Sequence, residues 1–134
     1  MMVAAKEDQI TVLVADDDTG VRSLARILLR RAGYEVLEAT TGREALWEME
    51  RHGDVVDVVL LDVMMPEMNG HEALDELRRT HPDVPVVFFS GFDQTEVAEH
   101  LAAPTAYTSF MPKPFENEEL VDEIARAAAS GRHA

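Results

Sequence analysis

VVLLDVMMPEMNG, residues 58–70, divides into an apolar run and a loop with one carboxylate at the joint. Val58, Val59, Leu60 and Leu61 read as a strand covered on both faces, because no polar residue interrupts them. Asp62 follows, where the carboxyl edge of a sheet would meet solvent. From Met64 to Gly70 strand alternation is gone, and Pro66 and the Asn69-Gly70 pair punctuate a loop. A single acid at a strand end is usually a turn former. Asp62 gains meaning only from the residues that the rest of the chain brings beside it.

On the amino-terminal side, residues 1–9 read as a disordered lead. Ile10, Val12, Leu13, Val14 and Ala15 then form a second buried run that ends in Asp16, Asp17 and Asp18. Val21, Leu24, Ala25, Leu28 and Ala32 recur at helical spacing, with Arg30 and Arg31 in the last turn and Gly33 as the stop. Residues 34–39 are a short strand. Thr41-x-x-Glu44 has the form of a capping box opening a helix that ends near Gly53.

On the carboxyl-terminal side, Ala73, Leu74 and Leu77 make a helical stripe that Pro82 terminates. Residues 84–89 are a fourth apolar run, ending in Ser90 and Gly91. A weaker helix is expected over 93–103, stopped by Pro104. Residues 106–111 form the last strand, confined to an edge by Pro112 and Pro114, neither of which can donate to a ladder. Glu116, Glu118 and Glu119 suit the first turn of a final helix whose buried face is Leu120, Val121, Ile124 and Ala128.

Five strands alternating with five helices predict an α/β doubly wound three-layer sandwich with a parallel sheet. Its sites lie at the carboxyl ends of the strands, near the reversal in strand order. With 134 residues the chain fits one domain, expected over 10–129 with a tail at 130–134. Twenty-six acidic against 12 basic residues give a net charge of -14, which repels phosphate backbones and anionic membranes. Neither nucleic acid nor membrane is an expected partner. There is no cysteine, so thiolate chemistry is excluded, and no signal-like start or long apolar run is present; a cytoplasmic protein is expected.

The strand-end rule gathers Asp16 and Asp17, Asp62, Ser90 and Lys113. Like carboxylates about 4 Å apart at an effective dielectric near 20 repel by roughly 4 kcal/mol, so the cluster calls for a cation. Oxygen donors alone suit a hard divalent ion, and magnesium takes one or two carboxylates plus waters and phosphate oxygens. The Lys113 ammonium and Ser90 hydroxyl suit a phosphoryl group, and Asp62 suits the nucleophile that accepts it. The five histidines, at 52, 71, 81, 100 and 133, lack ligand spacing and are expected at the surface, as is Asp18.

Four segments, VADDDTGVR (14–22), DVVLLDVMMPEMNG (57–70), VVFFSG (86–91) and FMPKPF (110–115), carry a resemblance to the receiver domain of two-component response regulators, of the chemotaxis-regulator type. That resemblance implies a flavodoxin-like sheet of order 2-1-3-4-5. It implies Asp62 as phosphoacceptor, Asp16 and Asp17 as the acid pair around Mg2+, and the Met64 backbone carbonyl as a further ligand. Ser90 and Lys113 take the hydroxyl and lysine positions, and Phe110 the aromatic switch position. Lys113-Pro114 resembles the family's cis peptide. Ala106, where many members have glycine, and Pro104 depart from the family's pattern.

The activity implied is a phosphoacceptor switch and not a turnover enzyme. A sensor histidine kinase or histidine phosphotransfer protein would be the donor. The signal would leave by protein contact through the face of the fourth helix, fifth strand and fifth helix, from a monomer or weak homodimer. The chain would be a stand-alone relay or a receiver of a hybrid kinase or larger regulator. Two rivals are a non-phosphorylated receiver-like interaction module and a magnesium-dependent phosphatase. The second wants an acid two residues after its nucleophile, where this chain has Met64.

Overall fold

The computed structural model describes residues 9–65, 67–90, 108–112 and 115–131. Its strands are β1 (Thr11–Ala15), β2 (Glu35–Ala39), β3 (Val58–Asp62), β4 (Val86–Ser90) and β5 (Thr108–Pro112). The described helices are α1 (Thr19–Arg31), α2 (Gly42–His52), α3 (Gly70–Thr80) and the C-terminal α4 (Asn117–Ser130). The expected helix at 93–103, Pro104 and Ala106, Gly91, Lys113 and its bond to Pro114, and nearly all of both termini lie outside the described residues.

All pairings are parallel, and the sheet order is β2-β1-β3-β4-β5. Strand alternation splits the core into two layers. Leu13, Ala15, Val59, Leu61, Val86 and Phe88 face α2 and α3, where Ala45, Met49, Ala73, Leu74 and Leu77 meet them. Val12, Val14, Leu60, Val87 and Phe89 face α1 and α4, packing on Ala25, Leu29, Leu120 and Ile124. The β5 edge carries Pro112, which suits a strand with a neighbour on one side only. Among the described residues no helix is long and apolar enough to cross a membrane.

Several local expectations are refined. Asp18 is exposed but not idle: it is the N-cap of α1, its Oδ1 accepting from the Val21 N–H at 3.0 Å. Thr41 caps α2 through the Glu44 N–H at 3.0 Å, while the Glu44 carboxylate turns to the Thr40 N–H at 2.7 Å, one residue before the reciprocal partner of a capping box. The complete box sits at α3, where Asn69 and Glu72 bond each other's backbone N–H. Val121 is only half-buried on α4, and Ala127 is buried instead. Gly33 has φ +95°, the left-handed geometry that makes it the stop after α1.

Candidate functional site

β1 and β3 are hydrogen-bonded neighbours in a parallel register that sets Ala15 beside Leu61. Their carboxyl ends therefore open side by side, and the chain leaves β1 towards β2 on one flank and enters β3 on the other. This reversal is where a doubly wound sheet forms its crevice. Asp16, Asp17 and Asp62 meet there, with a carboxylate oxygen of each within 4.8 Å of the others. Asp16 and Asp62 are 0% and 4% exposed, whereas Asp17 is at the surface.

Each acid is held differently. The Asp16 N–H extends the β1–β2 ladder by donating to the Ala39 carbonyl at 3.1 Å, and its Oδ1 accepts from the Asp18 N–H at 2.8 Å. Those bonds leave the turn into α1 tight. Asp62 ends β3 opposite Phe89, and its Oδ1 lies 3.4 Å from the Met64 N–H.

The loop after Asp62 is bound at both ends. The Gly70 N–H donates to the Val63 carbonyl at 2.9 Å, and Glu67 takes the left-handed conformation at φ 66°. A Cβ on Gly70 would stand 2.7 Å from the Asp62 carbonyl oxygen and 2.9 Å from Phe88 Cε1. Only glycine lets α3 begin this close to the acid. Met65 is buried in the core and Met68 partly so, while Met64 is 57% exposed.

The other site expectations fall as follows. Ser90 closes β4, next to β3 on the same sheet edge, and its side chain lies outside the described part of the structure. Lys113 lies outside the described residues. Phe110 is half-buried in β5, its ring stacked on Phe88 at 5.7 Å between centroids. His71 departs from a surface position: it is half-buried in the first turn of α3, 5.8 Å from Phe88. Phe88 thus joins three things, the Gly70 approach, His71 and Phe110. His52 pairs with Glu48 at 3.7 Å, and His81 with the Thr80 hydroxyl at 2.9 Å.

Two arginines, Arg78 and Arg22, make contacts that the pattern of the sequence does not signal. Arg78 Nη1 donates to the His81 and Val84 carbonyls at 3.1 and 2.7 Å, and Nη2 reaches Thr108 Oγ1 at 3.4 Å. Burial pushes its pKa down, and Asp83 opposes that shift. It staples the end of α3 to β5. Arg22 lies near the acids, its Nη1 donating to the Asp16 carbonyl at 2.8 Å and its Nε to Glu38 at 3.2 Å. No local signal marks either residue, because Glu38 lies 16 residues from Arg22 and Thr108 lies 30 from Arg78.

The oxygen-only donor set fits a hard divalent cation. Octahedral magnesium with bonds near 2.1 Å spans up to about 4.2 Å between opposite ligands. One oxygen from each of the three carboxylates lies within 4.8 Å of the others, close to that span.

A response regulator receiver domain model matches residues 12–125. The sensor kinase CckA of Brucella abortus (strain 2308) is 41% identical over 132 residues, 91% of this chain and 14% of that protein. The transcriptional regulator NtrC of Rhizobium meliloti (strain 1021) is 38% identical over 119 residues, 89% of this chain and 24% of that protein. The chain thus spans a minor part of these relatives, and what the whole proteins do does not carry over.

Among solved structures, the receiver domain of the hybrid histidine kinase CckA superposes with a TM-score of 0.75 at 33% identity, covering 88% of this chain and 98% of that one. A receiver domain protein from Clostridium thermocellum gives 0.81 at 27% identity, covering 89% and 94%. Sheet order, acid cluster and family match agree, and the chain belongs to the response regulator receiver domains of two-component systems, a family of phosphoacceptor switches.

Proposed function

We propose that Asp62 is the phosphoacceptor of this receiver and that Asp16, Asp17, Asp62 and the Met64 carbonyl hold Mg2+. The observation that carries this is the convergence of three carboxylates from two adjacent strand ends, two of them buried, in a gap of cation size. Bringing buried like charges together is unfavourable unless a cation offsets it.

In the reaction, a carboxylate oxygen of Asp62 attacks the phosphorus of a phosphohistidine on a sensor kinase or phosphotransfer protein. The P–N bond breaks, the imidazole recovers a proton, and an acyl phosphate forms. Bound magnesium supplies charge neutralisation for the transferred group. Ser90 and Lys113 bind the phosphoryl oxygens by charge-assisted hydrogen bonds once the group is on Asp62.

The receiver unit is 10–129. Its output is the face of residues 93–103, β5 and α4, with Phe110 turning as Ser90 moves inward. Carrying such an element from 1:99 to 99:1 takes about 5.5 kcal/mol of differential stabilisation, which a few charge-assisted contacts supply. Partners are the phosphoryl donor and a downstream protein, in the cytoplasm, with no nucleic acid or membrane bound directly and no more than a weak homodimer. The protein assists its own phosphorylation and dephosphorylation and does not turn over other substrates.

Intact-mass spectrometry after incubation with acetyl phosphate and Mg2+ tests this. One added phosphoryl group, absent from Asp62→Asn and from a sample with EDTA, is expected. A folded protein that gains none, and binds no beryllofluoride, refutes the acceptor role and leaves a receiver-like interaction module.

A further inference from the structure

We infer that Arg22 is a positioning residue for the acid pair, holding the peptide that joins Asp16 to Asp17 through a guanidinium anchored on Glu38. This rests on the reading of that pair as a magnesium site. Arg22 leaves the first turn of α1 and is 14% exposed. Its Nη1 donates to the Asp16 carbonyl at 2.8 Å, and its Nε donates to Glu38 Oε1 at 3.2 Å.

Glu38 is itself fixed, since it lies in β2 opposite Val14 of β1. Its carboxylate also receives Arg26, one turn further along α1, at 3.2 Å. The guanidinium is therefore tied to the sheet on one side and to the Asp16 carbonyl on the other.

That carbonyl belongs to the peptide plane between the two acids. Asp16 is constrained on its own account, by the bond of its N–H to Ala39 and of its side chain to the Asp18 N–H. The exposed Asp17 gets its direction from the plane that precedes it. Rotation of that plane would swing the Asp17 carboxylate away from Asp16 and Asp62 while leaving Asp16 in place. Arg22 blocks that rotation.

Lysine cannot substitute. Two diverging N–H groups on one rigid plane reach a carbonyl and a carboxylate at once, whereas an ammonium is a point charge on a flexible stem.

Arg26 supplies the control, since it shares α1 and Glu38 with Arg22, but among the described residues its side-chain hydrogen bonds go to Glu38 alone. Titration calorimetry with Mg2+ alone, beside urea unfolding of each variant, separates the roles. Arg22→Ala and Arg22→Lys are each expected to weaken Mg2+ binding about tenfold, the lower end of what losing an outer-shell partner costs. Glu38→Gln is expected to fall between them and the wild type. Arg26→Ala is expected to stay within about twofold of the wild type although it loses a comparable ion pair.

Arg22→Lys binding as tightly as the wild type, or Arg26→Ala losing as much as Arg22→Ala, overturns the inference and leaves Arg22 an ordinary helix-to-sheet tie. A wild-type protein that binds no Mg2+ and gains no phosphoryl group refutes the site itself, and the inference with it. Wild-type binding with unaltered Arg22 variants refutes the inference alone.

Discussion

Gly70 shows how one missing Cβ sets the distance between a helix and the acid it serves. Two of the three atoms nearest to an added methyl are backbone, the Asp62 carbonyl oxygen and Val63 Cα, and backbone cannot rotate aside as a side chain can. Gly70→Ala is expected to destabilise by about 2 kcal/mol through overpacking, read as a lower urea midpoint, and to slow phosphorylation by moving Asp62. Tyr34 gives a titration with a definite sign. Burial first and then the Asp122 carboxylate raise its phenol above 10.0, so the folded state keeps a proton that the unfolded chain gives up. Its contribution is fully present below about pH 10 and is lost as pH rises through the raised folded value. Tyr34→Phe is expected to flatten that alkaline decline in urea midpoint against pH.

Among the helices, α1 and α3 matter most because each begins within two or three residues of a site acid or its loop. Asp18 caps α1 directly after Asp16 and Asp17, and the Asn69–Glu72 box starts α3 where the loop after Asp62 closes. The caps satisfy orphan helix N–H groups and also fix where the loops end. Asn69→Ala is expected to cost about 1 kcal/mol in urea unfolding and to leave α3 starting one residue late. The two caps were not equally legible. Asn69-x-x-Glu72 has the spacing of a capping box and reads as a turn only because Asn-Gly is so strong a punctuator. Asp18 is hidden among three consecutive acids, where composition suggests a solvated loop.

The whole molecule gathers like charges at the carboxyl edge of one sheet. Asp16 and Asp62 are buried within 4.8 Å of each other, a separation at which an effective dielectric near 20 gives roughly 3.5 kcal/mol of repulsion. Asp62→Asn is expected to raise stability in EDTA by about 1 kcal/mol or more, since solvent and relaxation discount the full repulsion. With Mg2+ the gap should close, because the wild type gains a ligand that the variant holds less well. Thermal unfolding of both proteins with and without Mg2+ checks this; equal response to the metal would place the ion elsewhere.

Much of this architecture is legible in the sequence. Apolar runs of strand length, helical stripes and Gly or Pro punctuation are local signals, and alternation of strand with helix leaves few topologies. A parallel sheet with right-handed crossovers then obliges Asp16, Asp17 and Asp62 to lie on one edge. The pairing of β1 with β3, which turns a shared edge into a cluster of carboxylates, came only with the resemblance and the fold. Residues whose work depends on distant partners stayed silent. Arg22 finds Glu38, Arg78 finds Thr108, and Asp57 accepts the Thr11 N–H at 2.8 Å to fix the start of β1. Periodicity records which face a residue occupies; it carries no trace of which remote donor or carbonyl will stand there, and that is decided when the layers pack.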